Sequence, residues 1–207
     1  MKNALGSIVC ALLMTFAAAQ IRLGGDTSPD GKQPVRIDLP VDQRLRNCGG
    51  ADGAGMCVMS SIEMAARWCH LEELRGLRDW CARQPGGAYP AKVDRQLRDF
   101  CREKKIPVPD YIQYTGSDID LLRKALATGR MPAVTYTGND GVRYRGRIAH
   151  MVNLVQLNND WAALLDNNGI GADELLWMTP EEFRRRFGIG WVFLWLAPPP
   201  PPVPHNG

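Results

Sequence analysis

Apolar residues recur at helical spacing through the first half of the chain. Val58, Ile62, Ala65 and Cys69 stand at i, i+4, i+7 and i+11, which predicts a helix over 58–68 with one buried stripe. Glu63 and Arg67 form an i, i+4 charge pair on another face. Leu74, Leu77 and Cys81 suggest a second, short helix, broken at Gln84-Pro85-Gly86-Gly87. Val93, Leu97, Phe100, Cys101 and Lys104 predict a third, opened by Pro90 and closed before Pro107. A fourth runs from Asp118, with Ser117 and Asp120 in capping-box positions and Gly129 as its stop.

The pattern changes in the second half. Pro132 to Thr137 is rich in strand formers and leads to the turn signal Asn139-Asp140-Gly141. Ile148 to Leu157 predicts a long strand, turned back at Asn158-Asn159-Asp160 into a second strand over Trp161 to Asp166. Thr179-Pro180-Glu181-Glu182 reads as an N-cap with proline at the first helical position, opening a helix through Phe187. Gly190 to Leu196 is a last strand. Helices first and an antiparallel sheet second make an α+β domain.

The ends read differently. Lys2 is followed by an uncharged apolar stretch from Ala4 to Ala19 that ends in small residues, so residues 1–19 are expected to be a signal peptide. The stretch is shorter than the roughly 20 residues of a bilayer span. Residues 20–34 carry Gly24, Gly25, Asp26, Pro29 and Gly31 and are expected to form a flexible leader. The domain proper is 35–196. Residues 197–207, with Pro198–Pro202 and Pro204, read as an extended proline-rich tail suited to a partner. The expected location is secreted or periplasmic, with no membrane attachment once the signal is removed.

Composition narrows the chemistry. At 207 residues, 45% apolar and 23% charged, the chain is globular rather than disordered or collagen-like. A net charge of +3 without a dense Lys/Arg run is too weak a bias to argue for nucleic acid, so no nucleic-acid partner is expected. There are six cysteines and three histidines. Cys10 leaves with the signal, so Cys48, Cys57, Cys69, Cys81 and Cys101 remain. Export favours disulfides, and this odd set leaves at least one thiol outside any intrachain pair. No CxxC or HxxxH spacing is present, so no metal centre and no cofactor are expected.

Cys57 is the thiol with a chemical reason to stay free. Four glycines in the seven positions 49–55 lead directly into the first long helix, placing Cys57 at its N-terminus. Unpaired N–H groups and the helix dipole there favour a thiolate, and can also hold a developing oxyanion. The plainer alternative is a buried helical cysteine or half of a disulfide. A histidine in an apolar strand is more often structural, yet His150 has few rivals. His205 lies in the tail, and His70 follows the first helix into solvent. His150 is therefore the candidate base. If Leu157 pairs with Trp161, Val152 faces Asp166 and His150 faces Asn168. Asp166 then shares a face with His150, and Asn167 points the other way. A bulge or shifted turn would favour Asn167 instead, and Asp166-Asn167-Asn168-Gly169 also reads as a simple turn.

Gly55-Met56-Cys57-Val58-Met59-Ser60-Ser61 resembles the nucleophile segment of papain-like cysteine peptidases. His150-Met151-Val152-Asn153-Leu154-Val155 is similar to their histidine strand, and Trp161 to Asp166 to the strand bearing their Asn or Asp. The helix from Thr179 and the strand Trp191 to Leu196 also match. The order Cys, His, Asp or Asn is that of the clan, and the spacing is similar to its compact bacterial branch. The resemblance covers residues 40–196 in layout. It implies a papain-like fold with Cys57 as nucleophile, His150 as base and Asp166 as the group orienting His150. The family's oxyanion glutamine falls on Ala51 here, which leaves Asn47 or Gln43 to supply the amide. The aromatic that follows the nucleophile is Val58.

The expected activity is amide hydrolysis of a peptide or protein through a thioester. The alternatives are an inactive papain-like binding module, a cell-wall amidase or endopeptidase, and a transglutaminase-like acyl transferase. With Cys57 reduced, Cys48, Cys69, Cys81 and Cys101 could form two disulfides.

Overall fold

The computed structural model describes residues 21–50 and 55–197. The expected signal peptide, residues 51–54 of the glycine-rich stretch and the tail from Pro198 lie outside the described residues. Cys57–Trp68 form α1, and nine of its twelve residues are buried. The apolar stripe is as predicted, but Glu63 is buried too. Its carboxylate accepts from Arg67 and from the backbone N–H groups of Gly76 and Arg78 at 3.0 and 2.7 Å. It thereby caps α2, Leu77–Ala82, whose own N-cap residue, Gly76, has no side chain.

Two further helices follow the sequence pattern. α3, Val93–Lys104, starts after a 3₁₀ turn at Pro90–Lys92. α4, Ile119–Ala127, is capped by Asp118 rather than Ser117. The Asp118 carboxylate accepts from Asp120 N and Leu121 N, which leaves Ser117 outside the helix. Gly129, at φ 77°, ends the turn as expected. α5 is Pro180–Phe187, and Thr179 caps it by accepting from Glu182 N.

Seven strands form one antiparallel sheet: β1 Arg22–Gly24, β2 Tyr111–Gly116, β3 Ala133–Thr137, β4 Ala149–Leu157, β5 Ala162–Leu165, β6 Leu175–Met178 and β7 Gly190–Trp195. Their order is β1-β6-β5-β4-β3-β7-β2. The protein is therefore α+β. Nearly every residue of β4 to β7 is buried, so both faces of the sheet are covered. α1 packs across β4, β7 and β3, α4 on β4, and α5 on β3. Trp195 Nε1 donates to Ile62 O at 3.0 Å and ties β7 to the middle of α1.

The structure departs from the sequence reading in three ways. β2 and β6 were not predicted; β6 is a four-residue apolar run, Leu175-Leu176-Trp177-Met178, with no alternation to mark it. The segment expected to be a flexible leader enters the sheet, with β1 pairing β6 and Trp177 Nε1 donating to Gly25 O at 2.9 Å. The third difference is register. Leu157 opposes Ala162 rather than Trp161. Two residues earlier in β4 a bulge at Val155 absorbs the shift, so Leu154 opposes Leu164 and Asn153 opposes Leu165. The bulge is held by the N-terminal segment, since Ile37 N donates to Val155 O and Arg36 N to the Gln156 amide oxygen. Shifted turn and bulge cancel, and the strand ends meet as expected.

The expected disulfides are absent. All five described cysteines are free. Cys69 ends α1, Cys81 lies in α2 and Cys101 in α3, and each packs as a small apolar side chain in the helical layer.

Candidate active site

Cys57 is the first residue of α1, where the helix leaves its leading N–H groups unpaired. Its side chain is half-buried at the end of β4. His150 is the second residue of β4 and is buried at 6% exposure. Asp166 follows β5 directly and is fully buried. Sheet pairing therefore brings together residues far apart in the chain. His150 Nε2 lies 2.8 Å from Asp166 Oδ1, and the Cys57 thiol is near enough to the same ring for each to shift the other's proton affinity.

The electrostatics favour an ion pair. Burial raises the Cys57 thiol, but the His150 hydrogen bond and charge outweigh it, helped by the N–H groups of Met151 and Val58. The thiol is brought below its ordinary range. Burial alone would lower His150. Its bonds to Asp166 and Cys57 overcome that and bring it up to about 9. Burial likewise opposes ionisation of Asp166, and His150, Tyr144 and the Asn168 N–H prevail, so its carboxyl sits below the usual range. The shifts act together to favour a thiolate and an imidazolium beside an ionised carboxylate.

Asp166 is supported by residues that the sequence reading missed. Tyr144 Oη donates to Asp166 Oδ2 at 2.6 Å and accepts from Asn168 Nδ2 at 2.8 Å. Burial and the neighbouring carboxylate hold the Tyr144 hydroxyl protonated. Arg143 Nε lies 3.3 Å from Asp166 Oδ2, and the same guanidinium pairs with Glu174. Gly169 leaves room for it, since a Cβ there would meet Arg143 Nη1 at 2.1 Å.

Both residues arrive on the loop between β3 and β4, residues 138–148. Asp140 folds this loop on itself by accepting from Val142 N, Arg143 N and Tyr144 N at 2.7–2.9 Å. Arg186 of α5 holds its start by donating to the carbonyls of Thr137, Gly138 and Asn139. The Asn139-Asp140-Gly141 turn signal was the only trace of this arrangement in the sequence.

Asn167 does not touch His150. Its Nδ2 donates to Cys57 O, Ser61 Oγ and Met151 O at 3.2, 3.0 and 2.8 Å, stapling the start of α1 to β4. Asn47 sits beside the nucleophile. Its Oδ1 accepts from Met56 N at 2.9 Å, its Nδ2 donates to Asn168 Oδ1 at 3.1 Å, and its backbone N donates to Asn167 O. Gln43 is elsewhere. Its carbonyl accepts from Arg67, ten residues and about 15 Å along α1 from Cys57. A cavity of about 470 Å³ lined by Asp30, Asp160, Trp161 and Glu181 opens at the β4–β5 turn, the far end of the hairpin from this chemistry. Among the described residues no cluster of three His, Cys, Asp or Glu is placed to hold a metal, and no helix is long and apolar enough to cross a membrane. No protein-family model and no curated protein matches the chain.

Proposed function

We propose that the protein is an exported, papain-like cysteine hydrolase that cleaves amide bonds in peptides or proteins. The observation carrying this reading is His150, which hydrogen-bonds a buried carboxylate through Nε2 and stands beside a thiol at a helix start. The arrangement of α1, bearing Cys57 at its tip and packed on an antiparallel sheet bearing His150 and Asp166, supports the family resemblance.

The Cys57 thiolate attacks the amide carbon, and the carbonyl electrons move onto oxygen. The backbone N–H of Cys57 and the Asn47 amide stabilise that oxyanion. As the tetrahedral centre collapses, the C–N bond breaks and His150 gives its Nδ1 proton to the leaving amine. Water then attacks the thioester, His150 takes its proton, and the acid departs as the thiolate reforms. Asp166 keeps the imidazole oriented and stabilises its charged form.

The test is alkylation followed by turnover. Iodoacetamide at mildly acidic pH should label Cys57 faster than a model thiol, and His150→Ala should abolish the advantage. Wild type should cleave members of a peptide and cell-wall fragment library that Cys57→Ser leaves intact. A Cys57 that labels no faster than a model thiol overturns the reading. Fast labelling without turnover points to a binding module, and transfer of the acyl group to added amines points to an acyl transferase.

A further inference from the structure

The five thiols among the described residues fall into two environments. Cys69, Cys81 and Cys101 are buried, and burial pushes Cys69 up to about 11 and Cys81 up to about 12. Cys48 and Cys57 are the half-buried ones, and they flank the same glycine-rich segment. Met56 N donates to Cys48 O at 3.0 Å, and beside this bond Gly49 and Gly55 form an antiparallel bridge. Cys48 is thus held opposite Met56, one residue from the nucleophile. Opposed α-carbons in such a ladder are roughly 5.5 Å apart, and Cys57 lies one trans peptide, about 3.8 Å, beyond Met56. Met56, at φ −103° and ψ 22°, turns the chain out of the ladder there and into α1. The two cysteine α-carbons therefore lie within about 9 Å, and a small backbone shift brings them to the roughly 6 Å that a disulfide spans.

We propose that Cys48 and Cys57 are a peroxide-sensitive pair, in which Cys48 resolves oxidised Cys57 and reversibly closes the site. The proposal rests on the reading of Cys57 as the reactive thiol of the site. The Cys57 thiolate attacks one oxygen of hydrogen peroxide, the O–O bond breaks, and hydroxide leaves, giving a sulfenic acid. The Cys48 sulfur, having lost its proton, then attacks Cys57 Sγ. The S–O bond breaks, and the departing hydroxide takes up the Cys48 proton as water. Two thiols are oxidised by two electrons, and one peroxide is reduced to two waters. A dithiol reductant restores both thiols. The buried cysteines have neither the access nor the thiolate character to compete.

The chain itself supplies a direct readout. Trypsin cleaves after Arg46 and Arg67, so Cys48 and Cys57 leave on one peptide, 47–67. The reduced protein is treated with equimolar hydrogen peroxide, capped with iodoacetamide in denaturant and digested. The expected result is a 47–67 peptide lighter by two hydrogens that takes up no iodoacetamide, with both sites recovered after dithiothreitol. Cys69, Cys81 and Cys101 should be fully capped. In Cys48→Ser, Cys57 should halt as a dimedone-reactive sulfenic acid and pass to the irreversible acids in excess peroxide. Fragment masses separate these products from oxygen on Met56, Met59 or Met64. The proposal is overturned if wild-type Cys57 gains oxygen while Cys48 is still alkylated, or if either bonds to another cysteine. Because the readout is a mass, it stands apart from turnover. Pair formation in a protein that hydrolyses nothing sinks the hydrolase alone, and turnover without pair formation sinks the switch alone.

Discussion

His150 bonds Asp166 through Nε2 and stands beside Cys57, and both neighbours are negative when the site is charged. The thiolate–imidazolium pair exists above the lowered value of Cys57 and below the raised value of His150. Activity should therefore hold into mildly alkaline solution and fall as His150 loses its proton near pH 9. Asp166→Asn keeps the shape and removes the charge. His150 then loses its main charge partner, and the alkaline limb should move to lower pH by about 1–3 units. The pH dependence of Cys57 alkylation or of kcat/KM reads this, and an unmoved limb would mean that Asp166 does not act through His150. Tyr144→Phe deprives buried Asp166 of a donor and Asn168 of an acceptor. It should cost about 1–3 kcal/mol in urea unfolding; a neutral result contradicts the network.

At the scale of elements, one buried carboxylate joins two helices. Glu63 lies on α1, yet it supplies the N-terminal cap of α2 and pairs with Arg67. Glu63→Ala takes the carboxylate from the half-buried Arg67, leaves the N–H groups of Gly76 and Arg78 unpaired, and should cost about 1–3 kcal/mol, seen as a lower denaturation midpoint. The β3–β4 loop is a second such device. Asp140→Ala releases three N–H groups and the Tyr136 hydroxyl, so the loop should open locally. Limited trypsin digestion should then cut after Arg145 and Arg147 several-fold faster than in wild type. Asp140→Asn, which retains an acceptor oxygen, should largely restore resistance. Equal digestion of all three proteins would show that Asp140 does not anchor the loop.

For the whole molecule, the sheet begins and ends in segments whose composition does not announce them. Deleting residues 21–34 should be silent if they are a loose leader. The structure makes three of them, Arg22–Gly24, into β1, the strand that covers the open edge of β6 and packs Gly24 against Trp177. The deletion should lower the melting temperature and promote association through the bared edge, which calorimetry and sizing will detect. An unchanged melting temperature would contradict the role of β1. The same scale explains what was hidden. β6 is buried on both faces and has no alternation to read, and β2 is recognisable only through its pairing with β7. The cysteines invited disulfides by number, but their helices turn Cys69, Cys81 and Cys101 into the core instead.

Local chemistry is what the amino-acid order determined by itself. Helical periodicity, capping residues, a cysteine at a helix start and a strand bearing His150 all follow from contacts between near neighbours, and those are written consecutively in the chain. Only the tertiary structure decided the rest. It determined that a shifted turn and a bulge at Val155 cancel, delivering Asp166 rather than Asn167 to His150. It brought Tyr144 and Arg143 onto Asp166, and it set Asn47 rather than Gln43 beside the nucleophile. These outcomes depend on burial and hydrogen bonding between segments far apart in sequence. Their free energy belongs to the folded arrangement, and no local window of residues contains it.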